Sequence, residues 1–341
     1  MNRALWLALF ALNALPITLL LADRILAIPA PRVIRAWGGP ALAAFAALVA
    51  YGAWVGDPVV DLVGWGLLAG LAATVALDAV RLLGVALRLF PMDMPMMFGI
   101  IALGQAPRLQ RNAIARLVEH LSRVPEDRRA GMMSARLPAI ARLDPARRRA
   151  VVSAMMEGLT RLPEEPRRRV MATQMRVLAE LPEAVRQTLL RTMDEASGGP
   201  DGVPYAQPRG LPGIPMGTFR HLMARALPDT LEQAGLSRAR VALWGYGWHV
   251  LNGMSFGVMY TMLAGRGSWA LAIGWGVFVW LAMMVAMPVM MPAIRFPAWF
   301  PIWPLLAHLA MAIPIGAVAL AWVGPTTTRT ASLLGWLGWV P

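Results

Sequence analysis

The chain has 341 residues, of which 57% are hydrophobic, and its mean hydropathy is +0.54. A long chain of this composition is typical of a membrane protein with several spans, which excludes an ordinary soluble or disordered domain. The formal charge is +13 and cysteine is absent, which excludes disulfides, cysteine-ligated metals and thiol catalysis.

Six apolar runs are candidates for membrane spans, since about 20 residues cross the ~30 Å hydrocarbon layer. The first run is too long for the core of a typical signal peptide and lacks a clean cleavage site, which favours an anchor over a leader. The runs cover residues 4–22, 40–55, 59–90, 240–263, 269–291 and 300–323. We therefore predict an all-α polytopic bundle of about six spans, with two in residues 1–58 and three in 240–341.

The third run is followed directly by the sequence "FPMDMPMMFG", which places a carboxylate between two prolines. Asp93 is predicted to be the N-cap of a short helix over about 94–103, and Pro95 suits the first turn of that helix. The helix is too short to span and is expected to lie at the inner membrane face. Residues 59–105 thus predict the third span followed by an interfacial helix.

Residues 106–197 contain a repeat with a period of 19 residues. At this spacing an aliphatic residue precedes Pro or Asp, and these positions are Val124, Leu143, Leu162 and Leu181. Proline and acidic residues followed by arginine-rich turns are typical of helix starts. Each unit predicts one amphipathic helix of about 15 residues, and consecutive units are expected to stack because one short helix cannot bury its apolar face alone. Residues 198–239 predict a linker and an amphipathic helix.

The distribution of arginine predicts the orientation of the chain. Residues 106–195 carry 18 Arg and 11 acidic residues, a net charge of 18 − 11 = +7. Such segments stay on the cytoplasmic side, so we expect a bacterial inner-membrane protein with the repeats in the cytoplasm. The N-terminus is then outside, and four arginines lie inside: Arg24, Arg32, Arg35 and Arg295.

Two predicted spans have a face that combines small residues with an ionisable one at every fourth position. The faces are Gly66, Gly70, Thr74 and Asp78 in the third span, and Gly245, His249, Gly253 and Gly257 in the fourth. Small residues allow close helix approach, and ionisable groups at such depth face the protein interior. Asn252 and Tyr260 flank the second face.

The sixth span contributes His308 at the same predicted depth as His249, ~12–14 Å from the inner side. Two interpretations are open for these groups. Each His bonds a neighbouring helix and Asp78 pairs with Arg81, or Asp78, His249 and His308 form a shared site for a metal ion, a proton or haem. The identity of any metal or cofactor is left unknown.

The segments "LLAGLAATVALDAVRLLGVALRLFPMDMPMMFG" and "HVLNGMSFGVMY" resemble a family of small uncharacterised bacterial integral membrane proteins. Its pattern is an MD-x-P turn, an H-x-x-N-G span and a P-x-x-x-H span, matched over roughly residues 60–103 and 240–323. The resemblance implies a helical membrane fold and no particular reaction. It carries over to Asp93, Pro95, His249, Asn252, Gly253, Tyr260, Pro288 and His308.

This chain departs from that family in its two leading spans and in the inserted repeats. The repeats themselves are similar to the cytoplasmic helical domain of bacterial magnesium channels, whose short helices start at Leu-Pro. The membrane part of this chain does not match those channels, so the likeness implies a type of helical domain and not a channel.

The motifs narrow the classes of function. A phosphate loop, a nucleophile elbow and an H-E-x-x-H motif are all missing, which makes an enzyme the least favoured class. Residues 104–200 lack Phe, Tyr and Trp, so stacking platforms for nucleic acid are missing and such a partner is disfavoured. A basic ridge is predicted at Arg147, Arg148, Arg149, Arg167, Arg168 and Arg169. The ridge forms a solvated face, or it contacts a protein or anionic lipid. An anionic lipid surface attracts each nearby arginine with a free energy of ~1 kcal/mol.

Two functions follow from these patterns. The first is an accessory, assembly or regulatory subunit of a membrane complex, with the repeat domain as the docking surface for a protein partner. The second is a transporter or channel for a metal ion or proton that uses the intramembrane Asp and His residues. The lipid bilayer is a partner in both.

Overall fold

The computed structural model describes residues 2–25, 28–197, 214–290 and 294–339, without the side chains of 20–25, 197, 289 and 290. The predicted linker at 198–213 and the side chain of Arg24 lie outside the described residues. Within them the chain is helical apart from one pair of two-residue strands, which confirms the all-α class. The chain divides into two compact units: Met1–Gly104, Ala239–Met290 and Ala298–Pro341 form the first, and Gln105–Arg238 with Met291–Pro297 form the second.

Within each described stretch of the chain, consecutive helices are joined by short turns. The first unit begins with α1 (Arg3–Ile25), α2 (Ala30–Val33), a π-helical segment (Ile34–Gly38), α3 (Gly39–Trp54), α4 (Val59–Ala86) and α5 (Met94–Ala102). The second unit contains α6 (Ala106–Arg123), α7 (Glu126–Ala141), α8 (Pro145–Thr160), α9 (Glu164–Glu180), α10 (Glu183–Ser197), β1 (Ile214–Pro215), α11 (Met216–Ala234) and β2 (Ile294–Arg295). The first unit is completed by α12 (Arg238–Ala264), α13 (Trp269–Met290), α14 (Ile302–Trp322), α15 (Pro325–Ala331) and α16 (Leu333–Trp336).

Four helical segments are long and apolar enough to cross a membrane, which fits an integral membrane protein. They are Ala30–Trp54, Val59–Ala86, Trp269–Pro288 and Ile302–Trp322. The apolar part of α1 whose side chains are described, Arg3–Leu19, is shorter than these four. Helix α12 has 27 residues, but His249, Asn252 and four glycines make it less apolar. The count of six spans therefore stays a prediction.

Helix α4 is central to the first unit because both α14 and α12 pack along it. Trp65 stacks on Trp322 near one end of α4, and Trp303 Nε1 donates a 3.1 Å hydrogen bond to the carbonyl of Val80 near the other. Helices α4 and α14 are therefore antiparallel. Apolar side chains of α1, α4, α12, α13 and α14 together form one buried core.

The contact between α4 and α12 brings the two backbones together. A Cβ built on Gly66 would lie 2.6 Å from the Cα of Val258, and one on Gly70 would lie 2.5 Å from the Cα of Met254. A Cβ on Gly257 would lie 2.7 Å from the Cα of Gly70. Real Cβ atoms do not approach backbone so closely, so glycine is required at all three positions. The two small-residue faces of the sequence thus pack against each other.

In the second unit the helices α7, α8, α9 and α10 begin at residues 126, 145, 164 and 183. The 19-residue period of the sequence is therefore also the spacing of the helix starts. The packing differs from the expected stacking of consecutive units, because α6 packs mainly on α8, α7 on α9 and α8 on α10. Alternate helices thus cover one another's apolar faces.

Two hydrogen bonds, one buried and one partly buried, repeat with the same period and link alternate helices. Arg129 Nε donates to Thr173 Oγ1 at 2.9 Å, and Arg148 Nε donates to Thr192 Oγ1 at 2.8 Å. Both residues of the second pair lie 19 positions after those of the first. Each guanidinium also donates to the carbonyl five residues before it. Each arginine therefore ties the start of its helix to the second helix along the chain.

Helix α11 belongs to the second unit and packs on α6. Arg116 donates to both carboxylate oxygens of Asp229 at 2.8 Å, and Asn112 Nδ2 donates to Thr230 Oγ1 at 3.0 Å. The hydrogen bonds that Arg116 donates to Asp229 and Glu119 raise the pKa of Arg116. Strands β1 and β2 pair in parallel beside α11.

Candidate functional site

Polar side chains from three segments of the first unit converge beyond the glycines of the α4–α12 contact. Four residues after Thr74, the α4 face reaches Asp78, and four residues before Gly253, the α12 face reaches His249. Because the helices are antiparallel and the glycines fix their register, the carboxylate and the imidazole meet across the interface.

Asp78 accepts two hydrogen bonds on one oxygen. Its Oδ1 lies 2.7 Å from Arg81 Nε and 2.9 Å from His249 Nε2. A carboxylate only accepts hydrogen bonds, so Nε2 of His249 carries the hydrogen when Asp78 is ionised. Arg81 is 5% exposed, and the side chains of His249 and Asp78 are 15% and 19% exposed. The group is thus largely withdrawn from solvent, where unpaired charges are costly.

Asp93 joins the same group from the turn before α5. Arg81 Nη1 donates to Asp93 Oδ1 at 2.6 Å, and the hydroxyl of Tyr246 donates to Asp93 Oδ2 at 2.8 Å. Arg81 Nη2 also lies 3.4 Å from the Tyr246 oxygen. The guanidinium therefore bridges two carboxylates, one on α4 and one on the following turn. We call Asp78, Arg81, Asp93, Tyr246 and His249 the polar cluster.

The turn that presents Asp93 is shaped by the local sequence. Beyond the end of α4, Arg88 adopts a left-handed conformation with φ 62°, which reverses the chain. Helix α5 then lies against the start of α12, where a Cβ on Gly245 would come 2.7 Å from the carbonyl carbon of Pro95. A Cβ on Gly99 would come 3.0 Å from the carbonyl carbon of Val241. This second close helix contact fixes the segment that carries Asp93.

The predicted capping role of Asp93 is wrong for its side chain. The residue does precede α5 with an extended backbone (φ −72°, ψ 106°), and a proline lies in the first turn at Pro95. However, the carboxylate makes no capping hydrogen bond and bonds Arg81 and Tyr246 instead. A charge-assisted bond to a guanidinium is stronger than one to a backbone amide, which explains the preference.

Three other residues predicted for the intramembrane site are not bonded to the polar cluster. His308 Nδ1 lies 2.7 Å from the carbonyl of Pro304 on its own helix, and the hydroxyl of Tyr260 donates to the carbonyl of Ser268 at 3.4 Å. Asn252 Oδ1 is buried without a hydrogen-bond partner. Within the described residues no hydrogen bond or ion pair links these three to the polar cluster. The same residues contain no group of three His, Asp or Glu side chains suited to a metal ion. The described hydrogen bonds thus join His249 to Asp78 but not to His308, and a shared site of these groups stays a prediction.

The predicted basic ridge is also altered by the fold. Arg148 turns inward to Thr192, so the ridge prediction is wrong for this residue. Three others have acidic neighbours, namely Arg147 with Asp144, Arg149 with Glu195 and Arg168 with Glu164. Arg167 and Arg169 have no ion-pair partner in the described part of the chain. The six arginines thus do not form one uniform cationic surface.

Sequence reasoning missed Tyr246 and the bridging of two carboxylates by one arginine. The available signal for Tyr246 is its position three residues before His249, which puts both on one face of α12. The link from Arg81 to Asp93 crosses a chain reversal and carries no such periodic signal. Comparison of the chain with protein-family models, with curated proteins and with solved structures found no match. The function of this chain is therefore inferred from the geometry of the α4–α12 contact, the polar cluster and the second unit.

The polar cluster predicts strong coupling between Arg81 and Asp93. Arg81→Gln is expected to destabilise the protein by about 3–5 kcal/mol, because two largely buried carboxylates lose their shared cation. Combining it with Asp93→Asn should restore part of this loss. Chemical unfolding of the detergent-solubilised wild type, both single variants and the double variant measures the coupling free energy.

A second double-mutant cycle, at a position outside the polar cluster, provides the control. Asp61 is exposed near the start of α4, and Asp61→Asn should add independently to Arg81→Gln. If the Arg81 and Asp93 substitutions were equally additive, the bridge would not hold the segments together.

Proposed function

We propose that this protein is a non-enzymatic integral membrane protein that serves as an accessory, assembly or regulatory subunit of a membrane complex. In this proposal the first unit is the anchor, and the second unit is the docking surface for a protein partner. The observation that carries the proposal is the backbone contact between α4 and α12. A contact of this kind suits a fixed anchor better than a pair of helices that must separate.

The internal bonding of the anchor supports the same view. Transport by alternating access requires helices that rock against each other around the binding site. Here glycines on both α4 and α12 leave no space for sliding, and Thr261 Oγ1 donates to the carbonyl of Leu62 across the interface at 2.7 Å. At the other end of the contact, Asp78 and Arg81 are bonded to α12 and to the turn before α5. Hydrogen bonds therefore hold the contact between α4 and α12 at both of its ends.

Helix α9 offers the most distinctive surface for a partner in the second unit. Its inner face is buried at Val170, Val177 and Leu178, whereas Met171 and Met175 are 47% and 54% exposed. Methionine side chains are flexible and polarizable, which suits them to adaptable binding surfaces.

The surroundings of these methionines resemble the rim of an interface. Arg168 pairs with Glu164 on α9, and Arg176 of α9 pairs with Glu126 of α7 at 2.9 Å, so paired charges flank the two methionines in sequence. An apolar patch with a polar rim is the usual anatomy of a protein–protein contact. We call Met171 and Met175 the methionine patch.

The proposed placement keeps the orientation inferred from the arginines. The anchor has about six spans in the bacterial inner membrane, with the N-terminus outside and the second unit in the cytoplasm. The net charge of +7 over residues 106–195 supports this orientation, because arginine-rich segments resist translocation.

A specific observation also favours a second candidate, a pathway for protons or another cation. The polar cluster contains two carboxylates and one arginine, so its net charge is −1 with neutral His249 and zero with protonated His249. A largely buried site with one missing positive charge can take up a proton or a small cation. Asp78 and Arg81 on α4, Asp93 before α5, and Tyr246 and His249 on α12 are the groups that would set its charge.

The docking proposal predicts that the methionine patch is needed for a partner. When the full-length protein is purified from native membranes in mild detergent, a partner protein should co-purify with it in near-stoichiometric yield. Quantitative mass spectrometry measures this yield. The double substitution Met171→Glu and Met175→Glu should abolish this yield, because it places charges in an apolar contact.

The matched control carries the same charges elsewhere on the second unit. Ser134→Glu and Ala135→Glu lie at exposed positions of α7 and should leave the yield unchanged. A yield that falls equally in both double variants, or no stoichiometric protein in the wild type, would count against docking at this surface.

The second candidate predicts proton movement through the full-length protein. In liposomes loaded with a pH-sensitive dye, the wild type should dissipate an imposed pH gradient faster than protein-free liposomes. Asp78→Asn should remove this activity, because it takes away the carboxylate that bonds His249, whereas Asp61→Asn should retain it. Equal rates for wild-type and protein-free liposomes would eliminate the proton pathway.

A further inference from the structure

The second unit contains a groove between the α6–α7 turn and the start of α9. Its volume is about 570 Å³, and its walls are the Ser122–Glu126 turn, Arg129, the Leu162–Pro163 turn, Pro166 and Arg169. Small-molecule sites in proteins have volumes of about 300–1,000 Å³. The groove is thus large enough for a small organic ligand.

Positive charge dominates the lining of this groove. Arg123, Arg129 and Arg169 contribute three charges, and Glu126 contributes one of opposite sign, so the lining has a net charge of 3 − 1 = +2. Glu126 is already paired with Arg176 at 2.9 Å. Arg123 and Arg169 have no ion-pair partner among the residues that the structure describes. These two guanidinium groups are therefore available to an anion.

Arg129 is a charged side chain held at the buried side of the groove. It is 4% exposed, and its Nε and Nη1 donate to Thr173 Oγ1 and to the carbonyl of Val124. A guanidinium has five N–H donors, so three remain without a protein partner in the described ranges. Unused donors on a buried cation favour an anionic ligand that can accept from them.

The repeat supplies an internal comparison 19 residues further on. Arg148 corresponds to Arg129, but its Nη1 is occupied by two carbonyls, those of Ala141 at 3.1 Å and Leu143 at 3.2 Å. Asp144 stands where the groove has Pro125, and Thr188 stands where it has Arg169. Because Pro145 stands where the groove has Glu126, each position has one carboxylate, and the second position has one fewer arginine. The groove therefore carries one more positive charge than the corresponding position of the next repeat.

The wider surroundings of Arg123 are also positive. Burial, together with the charges of His221, Arg123, Arg136 and Arg225, lowers the pKa of His120 at the end of α6. Cations therefore outnumber acids on this side of the turn. Long-range attraction of this kind raises the local concentration of anions.

We propose that this groove binds a phosphomonoester group. A phosphomonoester carries about −1.5 to −2 charge at neutral pH, which matches the +2 lining better than a single carboxylate does. Arginine forks bind phosphate oxygens in pairs. Apart from Ser122, the remaining walls are proline, valine and leucine. Because the lining has no aromatic ring to stack on a base, it suits a small aliphatic ligand. The phosphomonoester belongs to a free phosphorylated metabolite or to the headgroup of a phosphomonoester lipid. This site adjoins the docking surface proposed above, because Glu126 lines the groove and pairs with Arg176 beside the methionine patch, but its ligand does not depend on a protein partner.

Hydrogen exchange of the full-length protein tests the site and distinguishes the two sources. In nanodiscs of phosphatidylcholine alone, glycerol 3-phosphate should protect the amides of residues 122–129 and 162–169, whereas glycerol should not. If instead nanodiscs that contain phosphatidic acid give this protection without added ligand, the headgroup is the source. Protection in neither arm would overturn the proposal.

Exposed arginines provide variants that preserve the fold. Arg123→Gln and Arg169→Gln should each lower the affinity for the protecting ligand by about tenfold, because each variant loses a charge-assisted hydrogen bond to the ligand. Arg142→Gln is the matched control, since Arg142 lies 19 residues after Arg123 and outside the groove. Protection that is unchanged in Arg169→Gln, or lost equally in Arg142→Gln, would also overturn the proposal.

Discussion

The close approach of α4 and α12 is the constraint on which the first unit depends. Glycines at every fourth residue of both helices let the backbones touch, and any Cβ at Gly66, Gly70 or Gly257 would collide with the facing helix. Such a contact sets both the distance and the register between the helices. The register in turn places Asp78 against His249, and Arg81 extends the pairing to Asp93 on the next turn. One steric requirement therefore determines where the buried charges meet.

This arrangement explains why a carboxylate lies in the segment "FPMDMPMMFG". A buried arginine needs compensation for its charge, and Asp78 also shares its oxygen with His249. Asp93 supplies a second carboxylate from the reversing turn, and Tyr246 holds that carboxylate in place. The same residues that link α4, α12 and the turn before α5 give the polar cluster a net charge of −1 when His249 is neutral. Both proposed functions therefore draw on this one cluster.

Much of the fold could be predicted from spacing alone. The periodicity of small residues identified the two faces that pack, and the 19-residue period gave the starts of four helices, because both patterns express which residues share a helix face. The partners of individual side chains could not be predicted in this way. The carboxylate of Asp93 bonds Arg81 and not a backbone amide of α5. Arg148 bonds Thr192 of α10 and does not contribute to a surface ridge. These choices depend on contacts between different segments, 12 residues apart for Arg81 and Asp93 and 44 for Arg148 and Thr192, which the spacing of residues along one helix does not encode.

Thermal unfolding of a set of glycine-to-alanine variants in detergent tests the account most directly. Gly66, Gly70 and Gly257 face the partner helix, whereas a Cβ on Gly64 or Gly247 of the same helices would have no heavy atom within 4 Å. Alanine at the three facing positions is predicted to lower the unfolding midpoint, since overpacking costs about 1–3 kcal/mol, and alanine at the two open positions should leave it unchanged or raise it. Equal midpoints for facing and open variants would contradict the backbone contact between α4 and α12.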